Sequence, residues 1–171
     1  SGETADSLAA LRQAKDQGAK TLAIVNVVGS TIAREADFVL YTLAGPEIAV
    51  ATTKAYSAQL LAVYALAIVF ARDRGTVEEA QAQALVRELE ALPGKMRRIL
   101  EDEERIQWFA AKQLAAKDAF FIGRCLDYAI SLEGSLKMKE ISYIHSEAYA
   151  AGELKHGTIS LIEPGTLVVG I

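Results

Sequence analysis

The spacing of apolar segments between residues 21 and 42 limits the possible folds more than any other feature of the sequence. Thr21 to Val28 is a β-branched run that is typical of a buried parallel strand. A short helix is predicted from Gly29 to Ala36, and Phe38 to Thr42 has the composition of a second strand. A strand, a helix and a strand of these lengths indicate a βαβ unit with a right-handed crossover. The sequence therefore predicts an α/β fold.

Helices are predicted on both sides of this unit. Ser1 and Thr4 can cap a first helix that runs to about Gln17. After a loop at residues 44–53, a long apolar helix is predicted from Thr52 to Arg72. Its longest apolar run, Leu60 to Ala71, is too short to span a bilayer, so we expect a buried helix.

The middle of the chain has a helical and highly charged sequence. Thr76 and Glu79 have the spacing of a capping box, which predicts a helix that ends at Leu92, before Pro93 and Gly94. The amphipathic segment 95–116 follows and predicts one or two connecting helices with a solvated charged face. Within it, the aromatic side chains are expected in a core or an interface, namely Trp108 and Phe109.

Two more strands are predicted in the C-terminal third, at Ala119 to Ile122 and at Thr166 to Ile171. Gly123 begins a turn into the next helix, and Cys125 follows in that turn. Cys125 is the only cysteine, so no intrachain disulfide is possible, which favours a reducing, cytosolic setting. We expect its side chain to be a small buried apolar group rather than a reactive thiol.

Composition excludes some functions and leaves others open. Apolar residues make up 51% of the chain, which indicates a globular protein, and the net charge of −4 gives no support for a nucleic-acid-binding surface. That charge does not exclude an anionic ligand, because free backbone amides at a helix N-terminus can bind phosphate. No G-x-G-x-x-G motif follows a strand, so nothing supports a nicotinamide cofactor.

The residues whose side chains are most suited to catalysis lie between Ile130 and Gly157. On a helix, Glu133, Lys137 and Glu140 stand at i, i+4 and i+7, which places two carboxylates and one ammonium on one face. One of the two histidines, His156, follows beside a lysine. The spacing alone favours a solvated ion pair and a structural histidine over a functional site, because such pairs are common on ordinary helices.

Three stretches of the chain resemble one enzyme family in the expected order. They are SGETADSL from Ser1, AGPEIAVATTKAYSAQL from Ala44, and LEGSLKMKEISYIHSEAYAAGELKHG from Leu132. These stretches resemble the isomerase half of the glutamine–fructose-6-phosphate transaminases, which consists of two sugar isomerase (SIS) lobes. The resemblance extends over essentially the whole chain. It implies an SIS-type three-layer αβα sandwich with a parallel sheet, truncated at both ends.

The same resemblance implies a division of the chain between the two lobes. Residues 1–100 would form the first lobe without its first strand, together with its trailing helices. Residues 101–171 would form a linker helix and the N-terminal part of the second lobe, which begins with the strand at Ala119. The strand at Thr166 would then be the next strand of that second lobe.

The resemblance also assigns roles to individual residues. Glu140 matches the carboxylate that moves a proton between two sugar carbons, Lys137 matches its electrostatic partner, and His156 matches the histidine that opens the sugar ring. Glu133 matches a nearby carboxylate that orients the others. The matching sugar-phosphate-binding positions are Ser1, Thr4, Val50 and Thr52. No metal or cofactor is implied, His145 is expected to be structural, and Thr158 stands where relatives usually have proline.

The function implied by this family is the isomerisation of fructose 6-phosphate on the way to glucosamine 6-phosphate, the first step of hexosamine biosynthesis. It implies a cytoplasmic homodimer in which His156 serves the neighbouring subunit's site, with no nucleic-acid or membrane partner. A glutaminase domain would lie elsewhere in the parent chain. Because that domain and the C-terminal tail with the family's Schiff-base lysine are absent here, we expect little or no synthase activity from residues 1–171 alone.

Two alternatives stay open from the sequence. The first is another SIS enzyme, such as a deaminase of amino-sugar phosphates or a deglycase of fructosamine phosphates. The second is a regulatory SIS module that senses a sugar phosphate without catalysis. Such a sensor would need the Ser1/Thr4 helix start but not Glu140, Lys137 and His156 together, so their joint presence favours an enzyme.

Overall fold

A computed structural model describes residues 2–171, so the predicted binding role of Ser1 lies outside the described residues. The chain separates into two compact units, of which the first ends at Met96 and the second begins at Arg97. Both are built from helices and parallel strands, which confirms the α/β prediction. The predicted lobe boundary after residue 100 stays a prediction.

The first unit is organised around two parallel strands. β1 (Leu22–Val25) pairs in parallel with β2 (Phe38–Tyr41), and the short helix α2 (Thr31–Glu35) connects them. The predicted βαβ unit is thus confirmed, with shorter strands than the apolar runs suggested. The first helix, α1 (Ala5–Asp16), precedes β1 in the sequence and packs against α2.

The long apolar helix α3 (Lys54–Asp73) is not the buried helix that the sequence predicted. Among its described residues only Ala55 is buried, and Leu61, Val63 and Phe70 are between 43% and 57% exposed. With 20 residues it is also long and apolar enough to cross a membrane, by length and composition alone. The sequence argument that the apolar run was too short therefore fails, although core helices of soluble proteins can have the same length and composition.

The helix that follows continues through the predicted stop. α4 (Glu79–Leu100) contains Pro93 inside the helix, so the prediction that Pro93 and Gly94 end it was wrong. A proline costs one backbone hydrogen bond and clashes with the preceding turn, but a long helix on both sides can tolerate it. The Thr76 hydroxyl does not cap this helix: it donates a 3.0 Å hydrogen bond to the Ala71 carbonyl at the end of α3.

The second unit contains a three-stranded parallel sheet. β3 (Asp118–Gly123) is central, with β4 (His145–Ala150) on one side and β5 (Leu167–Gly170) on the other. β3 and β5 confirm the predicted strands, whereas β4 was not predicted. The remaining elements are α5 (Glu103–Lys112), α6 (Leu126–Ser142) and a 3₁₀ turn (Thr158–Leu161).

The helix α6 packs on this sheet through small residues and Met138. Ser131 and Ser135 are buried, and Gly134 faces the Phe121 ring of β3. Other apolar side chains of α6 are partly solvent-exposed, namely Ile130 (37%), Leu136 (42%) and Ile141 (63%). Small residues let the helix backbone approach the strands closely, so the sheet core of Ala119, Phe121 and Leu167 is covered mainly by Met138 from this helix.

Three other expectations about burial were wrong or receive no support. Cys125 is exposed, at the start of α6 with a φ of 49°, and so is not a buried apolar group. Trp108 and Phe109 are 60% and 48% exposed, which excludes a position in the core of their own unit. The Lys112 ammonium lies 3.6 Å from the Trp108 ring centroid, in a cation–π contact on the surface of α5.

Candidate active site

The three charged residues singled out on α6 meet as their spacing predicted. The Lys137 Nζ lies 2.7 Å from Glu140 Oε2 and 3.4 Å from Glu133 Oε1, so one ammonium joins both carboxylates. Their side chains are only 21–31% exposed. The hydrogen bond from Lys137 to Glu140 raises the pKa of the Lys137 ammonium above its usual range, with Glu133 adding to the effect. Lys137 is therefore a fixed cation at neutral pH.

This charged group lies on a different face of α6 from the packed face. At about 100° per residue, positions 133, 137 and 140 are centred roughly 140° around the helix from the face formed by 131, 134, 135 and 138. The packed face contacts β3 and β4, and this packing fixes the position of the helix. The charged face stays available to a ligand. Buried hydrogen bonds reinforce that packing, because Ser146 Oγ donates to the Ser135 carbonyl at 2.7 Å.

His156 lies in the chain that turns away from the end of β4. Its backbone N–H donates to the Glu153 carbonyl at 3.0 Å, and Ala151 N–H donates to the Gly123 carbonyl at 2.9 Å, which fastens the turn to the end of β3. The residue is exposed, and its ring makes no hydrogen bond or ion pair with any residue in the part of the chain that the structure describes. Its side chain is thus free to contact a ligand.

Two polar side chains of β4 interact with each other. The Tyr149 hydroxyl donates to Glu147 Oε2. This hydrogen bond raises the pKa of the Tyr149 phenol. His145 makes a 3.1 Å contact through Nδ1 with Asp118 Oδ1, in agreement with a structural role.

In the first unit, the start of α1 has an open N-terminus. Thr4 is the N-cap residue, is exposed, and makes no capping hydrogen bond with its side chain. Gly2 precedes it with a φ of 90°, and a Cβ there would lie 2.3 Å from Ser30 Oγ. The Gly2 carbonyl accepts from Ile32 N–H at 3.0 Å and Glu3 Oε1 accepts from Thr31 N–H at 2.8 Å. This loop is therefore held rigidly by α2, and the sequence had not revealed that role for Gly2 and Glu3.

The loop between β2 and α3 forms the wall of a cavity of about 540 Å³. Of the two predicted binding residues, Thr52 lines this cavity, whereas Val50 is 97% exposed and does not. Glu47 also lines it, and Glu47 Oε2 accepts from Thr53 N–H and Ala55 N–H, both at 3.4 Å. A carboxylate thus already occupies the positive end of α3, which leaves the N-terminus of α1 as the better place for a phosphate dianion.

Metal sites require a particular geometry of ligating side chains, which the described part of the chain does not provide. Within residues 2–171, no group of three or more His, Cys, Asp or Glu side chains is arranged to hold a metal ion. The charged group of α6 is held together by Lys137 instead, and an ammonium between two carboxylates takes the position that a cation would otherwise occupy.

Comparison with known proteins assigns the fold to a family. The model of the SIS domain family matches residues 1–69 and 114–171, which include the α1 start, the loop before α3, the charged face of α6 and His156. The chain therefore belongs to the SIS domain family, whose resemblance was noted from the motifs.

Individual relatives with high sequence identity share one name within this family. The chain is 60% identical over 169 residues to a glutamine–fructose-6-phosphate aminotransferase (isomerizing) of Clostridium tetani, and 57% identical over 171 residues to one of Caldanaerobacter subterraneus. These matches include 99–100% of this chain, but the chain spans only 28% of the length of each relative.

Solved structures agree with this assignment. The C-terminal domain of glucosamine-fructose-6-phosphate aminotransferase from Francisella tularensis superposes with a TM-score of 0.96 at 38% identity, over 99% of this chain and 48% of that one. A glucosamine-6-phosphate deaminase from Thermotoga maritima superposes with a TM-score of 0.69 at 27% identity, over 99% and 49%.

Proposed function

We propose that this chain is part of the isomerase half of an enzyme that makes glucosamine 6-phosphate from fructose 6-phosphate and glutamine. The observation that supports this most directly is the Glu133–Lys137–Glu140 group on α6, in a chain that is 60% identical over 169 residues to a relative of that name. The parent protein is then a cytoplasmic aminotransferase with a glutaminase domain elsewhere in its chain, and this chain supplies residues for the ketose-to-aldose step.

In this mechanism Glu140 takes the proton from C1 or C2 of the open-chain sugar and returns it to the neighbouring carbon. A single carboxylate within hydrogen-bond reach can perform both transfers. Lys137, already cationic, stabilises the negative charge that develops on the sugar oxygen. Glu133 holds Lys137 from the other side, so that the ammonium keeps its position when Glu140 becomes protonated.

The remaining roles concern substrate binding and ring opening. The Thr4 hydroxyl and the open N-terminus of α1 bind the sugar phosphate, together with Ser1. Thr52 contacts the sugar from the loop before α3, and the exposed backbone at Val50 approaches it from the same loop. His156, whose side chain is exposed, moves protons at the ring oxygen and anomeric hydroxyl, and it does so in the site of the neighbouring subunit of a homodimer.

A product assay separates this proposal from the alternatives. The full-length protein is incubated with fructose 6-phosphate, with and without glutamine, and the sugar phosphates are separated and quantified. We expect glucosamine 6-phosphate only when glutamine is present. Saturable binding of fructose 6-phosphate without any conversion would replace the proposal by a sensing module.

A deaminase is the second candidate, because the Thermotoga maritima protein of that name has the same fold. The same preparation is therefore incubated with glucosamine 6-phosphate alone, and released ammonium is measured. Rapid release of ammonium, with no glutamine-dependent synthesis, would favour the deaminase over the aminotransferase.

A further inference from the structure

The Asn26 side chain joins the end of β1 to the loop that follows β2. Asn26 Oδ1 accepts from the Thr42 hydroxyl at 3.0 Å and from the Ala44 N–H at 2.8 Å, and Asn26 Nδ2 donates to the Gly45 carbonyl at 2.6 Å. Only a carboxamide offers both an acceptor and a donor in this geometry. Three hydrogen bonds from one half-buried side chain therefore fix the first residues of the loop.

The same loop is fastened at its other end by Glu47, through the amides of Thr53 and Ala55. Between these two points Ile48 and Val50 are 91% and 97% exposed, whereas Ala51 is buried, with 7% exposed. Asn26 therefore fixes the first part of the loop, while Glu47 and the buried Ala51 fix the part next to α3. Asn26, Gly45 and Glu47 line the same cavity as Thr52, so the fastening groups are themselves part of the site wall.

A second side chain joins β1 and β2 at their opposite ends and provides a comparison. Asp37 Oδ2 accepts from the Thr21 N–H at 2.9 Å and from the Thr21 hydroxyl at 2.8 Å, while the Asp37 N–H donates to that hydroxyl at 3.0 Å. The Asp37 side chain thus accepts two hydrogen bonds and its backbone N–H donates a third, whereas all three hydrogen bonds of Asn26 involve its side chain. Only Asn26 lies at the carboxyl ends of the strands, where ligands bind in open parallel sheets.

We infer that Asn26 is a positioning residue for the sugar site. It holds the loop 43–53 so that Thr52 faces the cavity, and it needs no direct contact with the substrate. This inference rests on the proposed function, because it assigns the cavity to the sugar phosphate. Asp37, in contrast, only stabilises the pairing of the strands.

The test compares Asn26→Ala, Asn26→Asp and Asp37→Ala in the full-length protein. The first readout needs no activity: hydrogen–deuterium exchange of peptides that cover residues 44–53, measured by mass spectrometry. We expect faster exchange of this loop in Asn26→Ala and unchanged exchange in Asp37→Ala. Equal exchange of the loop in wild type and Asn26→Ala would overturn the inference, whatever the enzyme's reaction is.

The second readout is the steady-state kinetics with fructose 6-phosphate, together with the melting temperature. Asn26→Ala is expected to raise KM at least about 10-fold, because a misplaced loop weakens substrate binding. Asn26→Asp keeps the two accepted hydrogen bonds and should restore part of that loss. Asp37→Ala should lower the melting temperature without changing KM. Parallel changes of KM in Asn26→Ala and Asp37→Ala would show a merely structural role and overturn the inference.

The two proposals fail in different ways in these experiments. If wild type fails to convert fructose 6-phosphate, the proposed function is wrong, but the exchange experiment still decides whether Asn26 holds the loop. If wild type converts the sugar and Asn26→Ala retains both its KM and its loop protection, only the inference about Asn26 is wrong.

Discussion

The Lys137 ammonium lies 2.7 Å from the carboxylate of Glu140, which stands one turn later on the same helix. This hydrogen bond fixes the carboxylate in one orientation and keeps the lysine charged at neutral pH. A base with a fixed direction and an adjacent cation is the arrangement that proton transfer next to a carbonyl requires. The orientation depends in turn on how α6 is packed against its sheet, which the first two predictions examine.

The first prediction concerns the close approach of α6 to β3. At Gly134 an added Cβ would lie 3.0 and 3.1 Å from two carbons of the Phe121 ring, so Gly134→Ala should lower stability despite the better helix propensity of alanine. Gly94 in α4 has no atom within 4 Å of such a Cβ, and Gly94→Ala should stabilise by about 0.5–1 kcal/mol. Urea denaturation of the full-length variants measures both, and a gain in stability at Gly134 would contradict the packing described.

The second prediction concerns the buried serines beneath the charged face. Ser146 is 1% exposed and hydrogen-bonds to both the Oγ and the carbonyl of Ser135, at 3.0 and 2.7 Å. Ser146→Ala leaves a buried hydroxyl without its partner, and we expect a loss of about 1–3 kcal/mol. The exposed Ser142, which donates to Met138 within the helix, is the control, and Ser142→Ala should have a much smaller effect in the same denaturation experiment. Equal losses would contradict the assigned roles.

The third prediction concerns acid stability. Hydrogen bonds from the Thr21 backbone and hydroxyl hold the pKa of the Asp37 carboxyl below its ordinary value. Because the folded pKa is the lower one, the stabilisation is fully present above the ordinary value of about 4 and is lost as pH falls through the folded value. The melting temperatures of wild type and Asp37→Asn should therefore differ most near pH 6 and converge toward pH 3. A difference in melting temperature that grows as the pH falls would show that the pKa of Asp37 is raised in the folded protein, which would contradict this prediction.

The sequence was a good guide where a pattern depends on local spacing. The βαβ unit of β1, α2 and β2 follows from alternating β-branched and helical segments, and Lys137 meets Glu133 and Glu140 because i, i+3 and i+4 positions are neighbours on any helix. Both features are determined within about 20 residues, so no knowledge of tertiary packing was needed.

Two of the failures arise where tertiary contacts override local preference. β4 has the polar sequence HSEAYA, and it becomes a strand through its pairing with β3. The packed face of α6 contains Ser131, Gly134 and Ser135, which no hydrophobic pattern identifies as core.

The site was predicted less completely than the fold. Thr52 lines the cavity, and its sugar-binding role stays a prediction; the hydrogen bonds by which Asn26 and Glu47 hold the loop were not predicted. A polar residue directly after a buried parallel strand was the available signal, because strand carboxyl ends are where such folds bind ligands. Its partners, Ala44 and Gly45, could be identified only from the register of β1 and β2.

The most direct test of the central claim is proton–deuterium exchange at C1 of fructose 6-phosphate and at C2 of the aldose formed from it, with full-length protein in heavy water. Lys139→Gln, which removes an exposed charge beside Glu140, is the control for Glu140→Gln. We expect exchange in wild type and Lys139→Gln, and a loss of at least about 100-fold in Glu140→Gln with nearly unchanged affinity for fructose 6-phosphate. Undiminished exchange in Glu140→Gln would contradict the assignment of Glu140 as the base.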